Sequence, residues 1–134
     1  MKSGDWSLLF HRCVLEQLER LKAASDKAIA NSPPNDALEN ANVKLYAALA
    51  KLMLETIPSD PARDEYRQGN TMGPDFRHWR RAKIGRRFRL FFRYDSRTKV
   101  IVYAWVNDEK TLRTAGSKND PYTVFQKMLS RGNP

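Results

Sequence analysis

The sequence predicts an α+β fold in which a helical hairpin packs on a small twisted antiparallel sheet and a C-terminal helix closes the chain. Three observations predict it. Apolar residues recur at three- and four-residue steps through the first half. After a Gly- and Pro-containing stretch the period shortens to two, with aromatic and β-branched residues. An Asp-Pro pair at Asp120 and Pro121 then supplies an N-cap and a first-turn proline. With 134 residues, 41% hydrophobic and 29% charged, the chain has the size of one domain and is too apolar for intrinsic disorder. A single domain over residues 1–134 is expected.

In chain order, Asp5 to Phe10 is a short apolar segment that suits either a first strand or a lead-in. From Arg12 to Ala30, Val14, Leu18, Leu21, Ala28 and Ile29 line one helical face. Residues 31–35 (Asn-Ser-Pro-Pro-Asn) break that helix, and Asp36 with Glu39 reads as a capping box for a second. Its stripe is Leu38, Ala41, Leu45, Ala48, Leu52 and Ile57, ending at Pro58. Ser59 to Pro74 reads as an ordered loop. Trp79 to Ile84, Arg87 to Tyr94 and Lys99 to Val106 then form a three-stranded meander, with turns at Gly85-Arg86 and at residues 95–98. In the middle strand Phe88, Leu90 and Phe92 share one face, and Arg87, Arg89 and Arg93 are assigned to the other. Asn107 to Asn119 reads as a loop before the last helix, which runs through Leu129. The helices are expected to cover one side of the sheet.

Charge is distributed unevenly. Residues 1–60 carry seven basic and eight acidic side chains, whereas residues 61–134 carry seventeen and seven, and the whole chain has net charge +9. A basic half of this kind suits a polyanion, nucleic acid first, with an anionic membrane surface or an acidic protein behind it. Cys13 is the sole cysteine, which excludes an intramolecular disulfide and a cysteine-rich zinc module. No run approaches 18 apolar residues and the first ten residues lack a signal-peptide core, so a soluble, cytoplasmic protein without membrane contact is expected. His11 and His78 are 67 positions apart, outside any metal-ligand spacing. Gly-rich phosphate loops, serine elbows and paired catalytic carboxylates are absent from the sequence. Nucleotide hydrolases and ordinary proteases are therefore disfavoured, and no cofactor is expected.

The window from Phe76 to Arg93 contains eight basic residues and no acidic one, interleaved with Phe76, Trp79, Phe88, Phe91 and Phe92. Cations crowded on neighbouring strands repel unless an anion lies against them. Phosphates would supply that anion, with guanidinium groups for bidentate contacts and rings for base stacking. A solvated basic face is the plainer alternative. Trp79, Arg81 and Lys83 alternate on one side of their strand, so a phosphodiester laid across it meets a ring and two cations. RNA cleavage needs the 2′-OH proton removed, the phosphorane stabilised and the 5′-oxygen protonated; Arg and Lys can supply the second, and Lys83 could move a proton or be a plain surface lysine. Arg113, Lys118 and Tyr122 could extend the basic face, or Tyr122 could simply pack the last helix.

The runs Trp79-Arg80-Arg81-Ala82-Lys83-Ile84-Gly85, Arg87-Phe88-Arg89-Leu90-Phe91-Phe92-Arg93-Tyr94, the segment from Ala104 to Arg113 and Tyr122-Thr123-Val124-Phe125 together resemble the YhaV-type toxins of bacterial type II toxin-antitoxin modules, within the RelE/ParE superfamily. The resemblance covers about Tyr66 to Pro134, with weaker support from Trp6 and the hairpin. It implies a RelE-like α/β toxin, a metal-independent endoribonuclease (mRNA interferase) acting on mRNA at the ribosome, and neutralisation by a PrlF-type antitoxin. DNA operator binding is implied only for the toxin-antitoxin complex. The family arginine falls on Arg81. With Arg113 it is assigned to transition-state charge, and Lys83 to proton transfer. Arg89 and Arg93 are assigned to phosphate binding, and Trp79, Arg80, Arg87, Lys118 and Tyr122 complete the expected RNA contacts. Ala115 stands where some members carry Tyr. Two other classes stay open: a ParE-like toxin that poisons DNA gyrase, and a non-catalytic nucleic-acid-binding or autoregulatory module.

Overall fold

The computed structural model describes residues 1–69, 72–107 and 120–132. Helix α1 (Arg12–Asn31) begins where expected, with the His11 ring Nδ1 accepting from the Cys13 N–H at 3.3 Å. The second half of the hairpin differs from the sequence reading. Asp36 and Glu39 do not form a capping box. Pro34 instead opens a six-residue helix, α2 (Pro34–Glu39), because its fixed φ suits a first helical position that needs no N–H. Asn40 then re-caps the chain, its Oδ1 accepting from the Asn42 and Val43 N–H groups at 2.9 and 3.3 Å, and opens α3 (Ala41–Lys51). A π-helical turn at Leu52–Thr56 and a final turn, α4 (Ile57–Ser59), complete this arm. The Tyr103 hydroxyl donates to the Met53 carbonyl in the π-turn at 2.6 Å, tying the hairpin to the sheet.

The sheet has five strands: β1 (Lys2–Ser3), β2 (Trp6–Phe10), β3 (Arg80–Ile84), β4 (Phe88–Asp95) and β5 (Val100–Val106), in the spatial order β1-β2-β5-β4-β3. The antiparallel meander of β3, β4 and β5 matches expectation. The sheet as a whole is mixed, because β2 lies parallel to β5, with Leu8 opposite Ile101 and Phe10 opposite Tyr103. A parallel pair needs a long crossover, and the helical hairpin supplies it. The apolar segment before α1 is thus an interior strand.

Two cores flank the sheet. Val14, Leu49, Met53 and Ile57 of the hairpin bury Leu8, Ala82, Leu90, Phe92, Ile101 and Tyr103 on one face. On the other, Tyr122 and Phe125 of α5 (Pro121–Ser130) bury Trp79, Phe91, Ala104 and Trp105. The helices therefore do not all cover one side. A β-bulge makes this possible: Phe91 pairs with Trp105 and Phe92 with Tyr103, which leaves Ala104 as the extra residue. Simple alternation would put Tyr103 and Trp105 on one face. The extra residue reverses the phase, so Trp105 turns to α5 and stacks on Phe125 at 5.9 Å and 3°.

Phe125 also stacks on Phe91 at 4.5 Å and meets Trp79 edge-on at 5.0 Å. Phe125→Ala should therefore cost about 3–5 kcal/mol, read as a lowered urea midpoint with loss of the near-ultraviolet tryptophan signal.

Candidate nucleic-acid interface

Arg81 and Lys83 flank Ala82, which is buried against the hairpin, so both project toward the α5 face of the sheet. Lys83 lies directly opposite Arg89 in the β3-β4 register. Two cations so placed repel each other, and Arg89 is only 8% exposed, so water screens it poorly.

The two arginines meet at Tyr122, in the first turn of α5. Its hydroxyl oxygen accepts from Arg81 Nε at 2.7 Å and from Arg89 Nε at 3.2 Å. Arg81 Nη1 also donates to the Glu65 carbonyl at 2.5 Å, and Arg89 Nη1 to the Arg86 carbonyl at 3.3 Å. Among the described residues neither guanidinium forms an ion pair with a carboxylate. Hydroxyl and carbonyl oxygens orient the two groups while leaving their full positive charge for a ligand.

Asn107 fixes the base of this arrangement. Its Oδ1 accepts from the Arg89 N–H at 2.5 Å, its Nδ2 donates to the Arg87 carbonyl at 3.0 Å, and its own N–H donates to the Arg89 carbonyl at 3.3 Å. The start of β4 is thereby held to the end of β5. Along the outer edge of β3 runs an open groove of about 590 Å³, lined by Thr56, Asp64, Glu65, Arg67, Arg81 and Lys83 among others. Arg67 closes part of that edge by bridging to Arg80.

The remaining expected residues are dispersed. Trp79 is 6% exposed and packs on Phe125; its ring is part of the core and is not an open base-stacking platform. The Arg93 guanidinium lies over that ring at 5.3 Å, away from Tyr122. Arg80 alternates to the opposite side from Arg81 and covers the Tyr94 ring at 5.0 Å. Arg87 stands in the β3-β4 turn, outside the strand to which alternation assigned it, with its guanidinium 5.8 Å from the centre of the Phe88 ring. Arg113 and Lys118 lie outside the described residues, as do Asp108, Glu109 and Ala115. Among the described residues no three His, Cys, Asp or Glu side chains are grouped to hold a metal ion, and no helix is long and apolar enough to cross a membrane. Sequence reasoning named Tyr122 as an RNA contact or a packing residue and Asn107 only as the start of a loop; the hydrogen bonds by which they position the arginines depend on contacts between distant segments. It missed the Glu65 carbonyl altogether, since a backbone acceptor leaves no side-chain signature.

A cluster of Arg81, Lys83 and Arg89 on a hairpin-and-sheet α+β scaffold, in a chain of net charge +9, defines a small basic protein suited to an anionic polymer. The chain belongs to the YhaV toxin family, described as toxins with endonuclease activity of toxin-antitoxin systems, whose model matches residues 8–134. It is 42% identical to the toxin YhaV of Escherichia coli O6:H1 and 41% identical to the ribonuclease toxin YhaV of Escherichia coli K12, in each case over 98% of this chain and 86% of the relative. A RelBE2 toxin-antitoxin complex from Mycobacterium tuberculosis aligns in structure with a TM-score of 0.45 at 14% identity, covering 78% of this chain and 91% of that one.

Tyr122→Phe removes the oxygen that two arginines share, one of them buried, and should cost about 1.5–3 kcal/mol, measurable by urea unfolding. His78 is held below its ordinary value of 6.5 by partial burial and by the positive charge of Arg93. In an NMR titration its ring should therefore protonate only below that value, and Arg93→Gln should move the transition upward.

Proposed function

We propose that residues 1–134 act as a single cytoplasmic toxin domain that cuts mRNA on the ribosome, with a PrlF-type antitoxin holding it silent and the DNA operator bound only by the toxin-antitoxin complex. The observation that carries this reading is the convergence of Arg81 and Arg89 on the Tyr122 hydroxyl, beside Lys83, without a carboxylate partner among the described residues. RNA is favoured as the substrate because a relative of 41% identity is named a ribonuclease toxin.

In this reading a 2′-oxygen attacks its neighbouring phosphorus, the 5′-oxygen leaves, and the products are a 2′,3′-cyclic phosphate and a 5′-hydroxyl. Negative charge grows on the non-bridging oxygens as the phosphorane forms. Arg81 is oriented by Tyr122 and by the Glu65 carbonyl, so its charge is in place before the reaction and needs no reorganisation during it. Arg113 is assigned to the same task. Arg89, its side chain oriented by Tyr122 and its backbone held by Asn107, holds the phosphate, and exposed Lys83 takes the 2′-hydroxyl proton as the amine and returns it as the ammonium to the leaving 5′-oxygen. Tyr122 contributes by setting both guanidinium groups. Arg80, Arg87, Arg93 and Lys118 bind flanking RNA, and Trp79 contributes indirectly by supporting Arg93.

The test is to induce the chain alone in cells and map new mRNA 5′ ends with translation running and blocked. Ends should appear only on translated messages, and Arg81→Ala should reduce cleavage by about 10²–10³-fold while circular dichroism stays native. Growth arrest with intact messages and inhibited gyrase would support the ParE-like reading instead. A salt-sensitive RNA complex that leaves the RNA whole would support a binding module.

A further inference from the structure

A second basic cleft lies at the other end of the same sheet. It is about 650 Å³ in volume and is lined by His78, Arg80, Arg93, Asp95, Arg97, Val100 and Val102 among others. Arg93 is four residues along β4 from Arg89, about 13 Å at the rise of a strand. Between the two places Trp79, Phe91 and Phe125 pack together under α5. The cleft is therefore separate from the Arg81–Tyr122–Arg89 cluster, although both stand on one basic strand pair.

Its cations are presented rather than neutralised. Arg93 lies over the Trp79 ring and Arg80 over the Tyr94 ring. Among the described residues Arg80, Arg93 and Arg97 make no ion pair. Buried Arg80 Nη1 has no hydrogen-bond partner there. Among the described residues Asp95 is the one carboxylate lining the cleft, and its Oδ1 accepts from the Arg97 and Thr98 N–H groups at 2.8 and 3.4 Å, where it shapes the turn. The half-buried Val100 and Val102 supply an apolar surface beside these charges. Planar guanidinium groups around an apolar floor suit a phosphate with its ribose or base alongside.

We propose that this cleft is a second phosphate-binding subsite for single-stranded RNA, engaging the strand beyond the phosphate held at Tyr122. The proposal rests on the RNA reading above and deepens it: one strand held at both places would run past α5, which covers Trp79 and Phe125, with cleavage confined to the Arg81 end. Arg93 and Arg97 are its exposed anchors, and Arg80 lies at its wall.

The experiment measures fluorescence anisotropy of the full chain with uncleavable 2′-O-methyl RNA across a salt series. The double variant Arg93→Gln, Arg97→Gln should bind about tenfold more weakly at low salt, and its slope of log K against log salt should fall by about 1.4, or about 0.7 for each lost phosphate contact. Arg93→Lys with Arg97→Lys should retain most of the slope. The single Arg97→Gln variant, altered only in an exposed turn, should lose about half as much. Affinity and slope unchanged in the double variant would overturn the subsite, even if messages are cut as proposed. Loss of antitoxin binding with RNA binding intact would also overturn it, by making the cleft an acidic-peptide seat. A wild-type chain that cuts no message, with the double variant still losing the slope, would sink the ribonuclease reading and leave the subsite standing.

Discussion

The shared hydroxyl of Tyr122 is the contact on which the rest of the site depends. It accepts from Arg81 on β3 and Arg89 on β4, so one oxygen on α5 sets the direction of two charged side chains from two strands. A phenol hydroxyl is a neutral acceptor. It satisfies the guanidinium N–H groups without cancelling their charge, as a carboxylate would. The positive charge of the two guanidinium groups therefore survives their ordering.

That contact requires α5 to lie on the sheet face opposite the hairpin, and aromatic packing holds it there. Phe125 sits against Phe91, Trp105 and Trp79, and the bulge at Ala104 turns Trp105 toward it. Removing the bulge would send Trp105 to the hairpin face and leave α5 with a smaller surface. On the other side, the Tyr103 hydroxyl at the Met53 carbonyl joins the π-turn to β5. A single extra residue thus lets neighbouring aromatic residues of one strand serve two cores.

The charge arrangement opposes folding, since Lys83 directly faces Arg89 across the strands and Arg89 is buried. The cores on both faces must offset this repulsion. A rule of strand pairing is thus broken here where packing is otherwise good. An anion laid against these cations would relieve the repulsion.

Much of the fold was legible in the sequence because it depends on local periodicity. Val14, Leu18 and Leu21 mark α1, alternation across Arg87 to Tyr94 marks β4, and Asp120-Pro121 marks the start of α5. The concentration of charge on Arg81, Lys83 and Arg89, and the face that carries them, were readable for the same reason. Relations between distant segments were not. The parallel pairing of β2 with β5 joins residues about ninety positions apart, and nothing in the apolar run before α1 specifies its neighbour. The Ala104 bulge is a mismatch between two strands, invisible within either. Asp36 and Glu39 have the spacing of a capping box, yet Pro34 and Asn40 supply the helix starts. Amino-acid sequence by itself marked α1, the three strands of the meander and α5, and determined where the positive charge lies. Tertiary structure alone decided that Arg81 and Arg89 meet at Tyr122 while Arg93 faces a separate cleft, because register, bulge and helix placement are set by packing between segments.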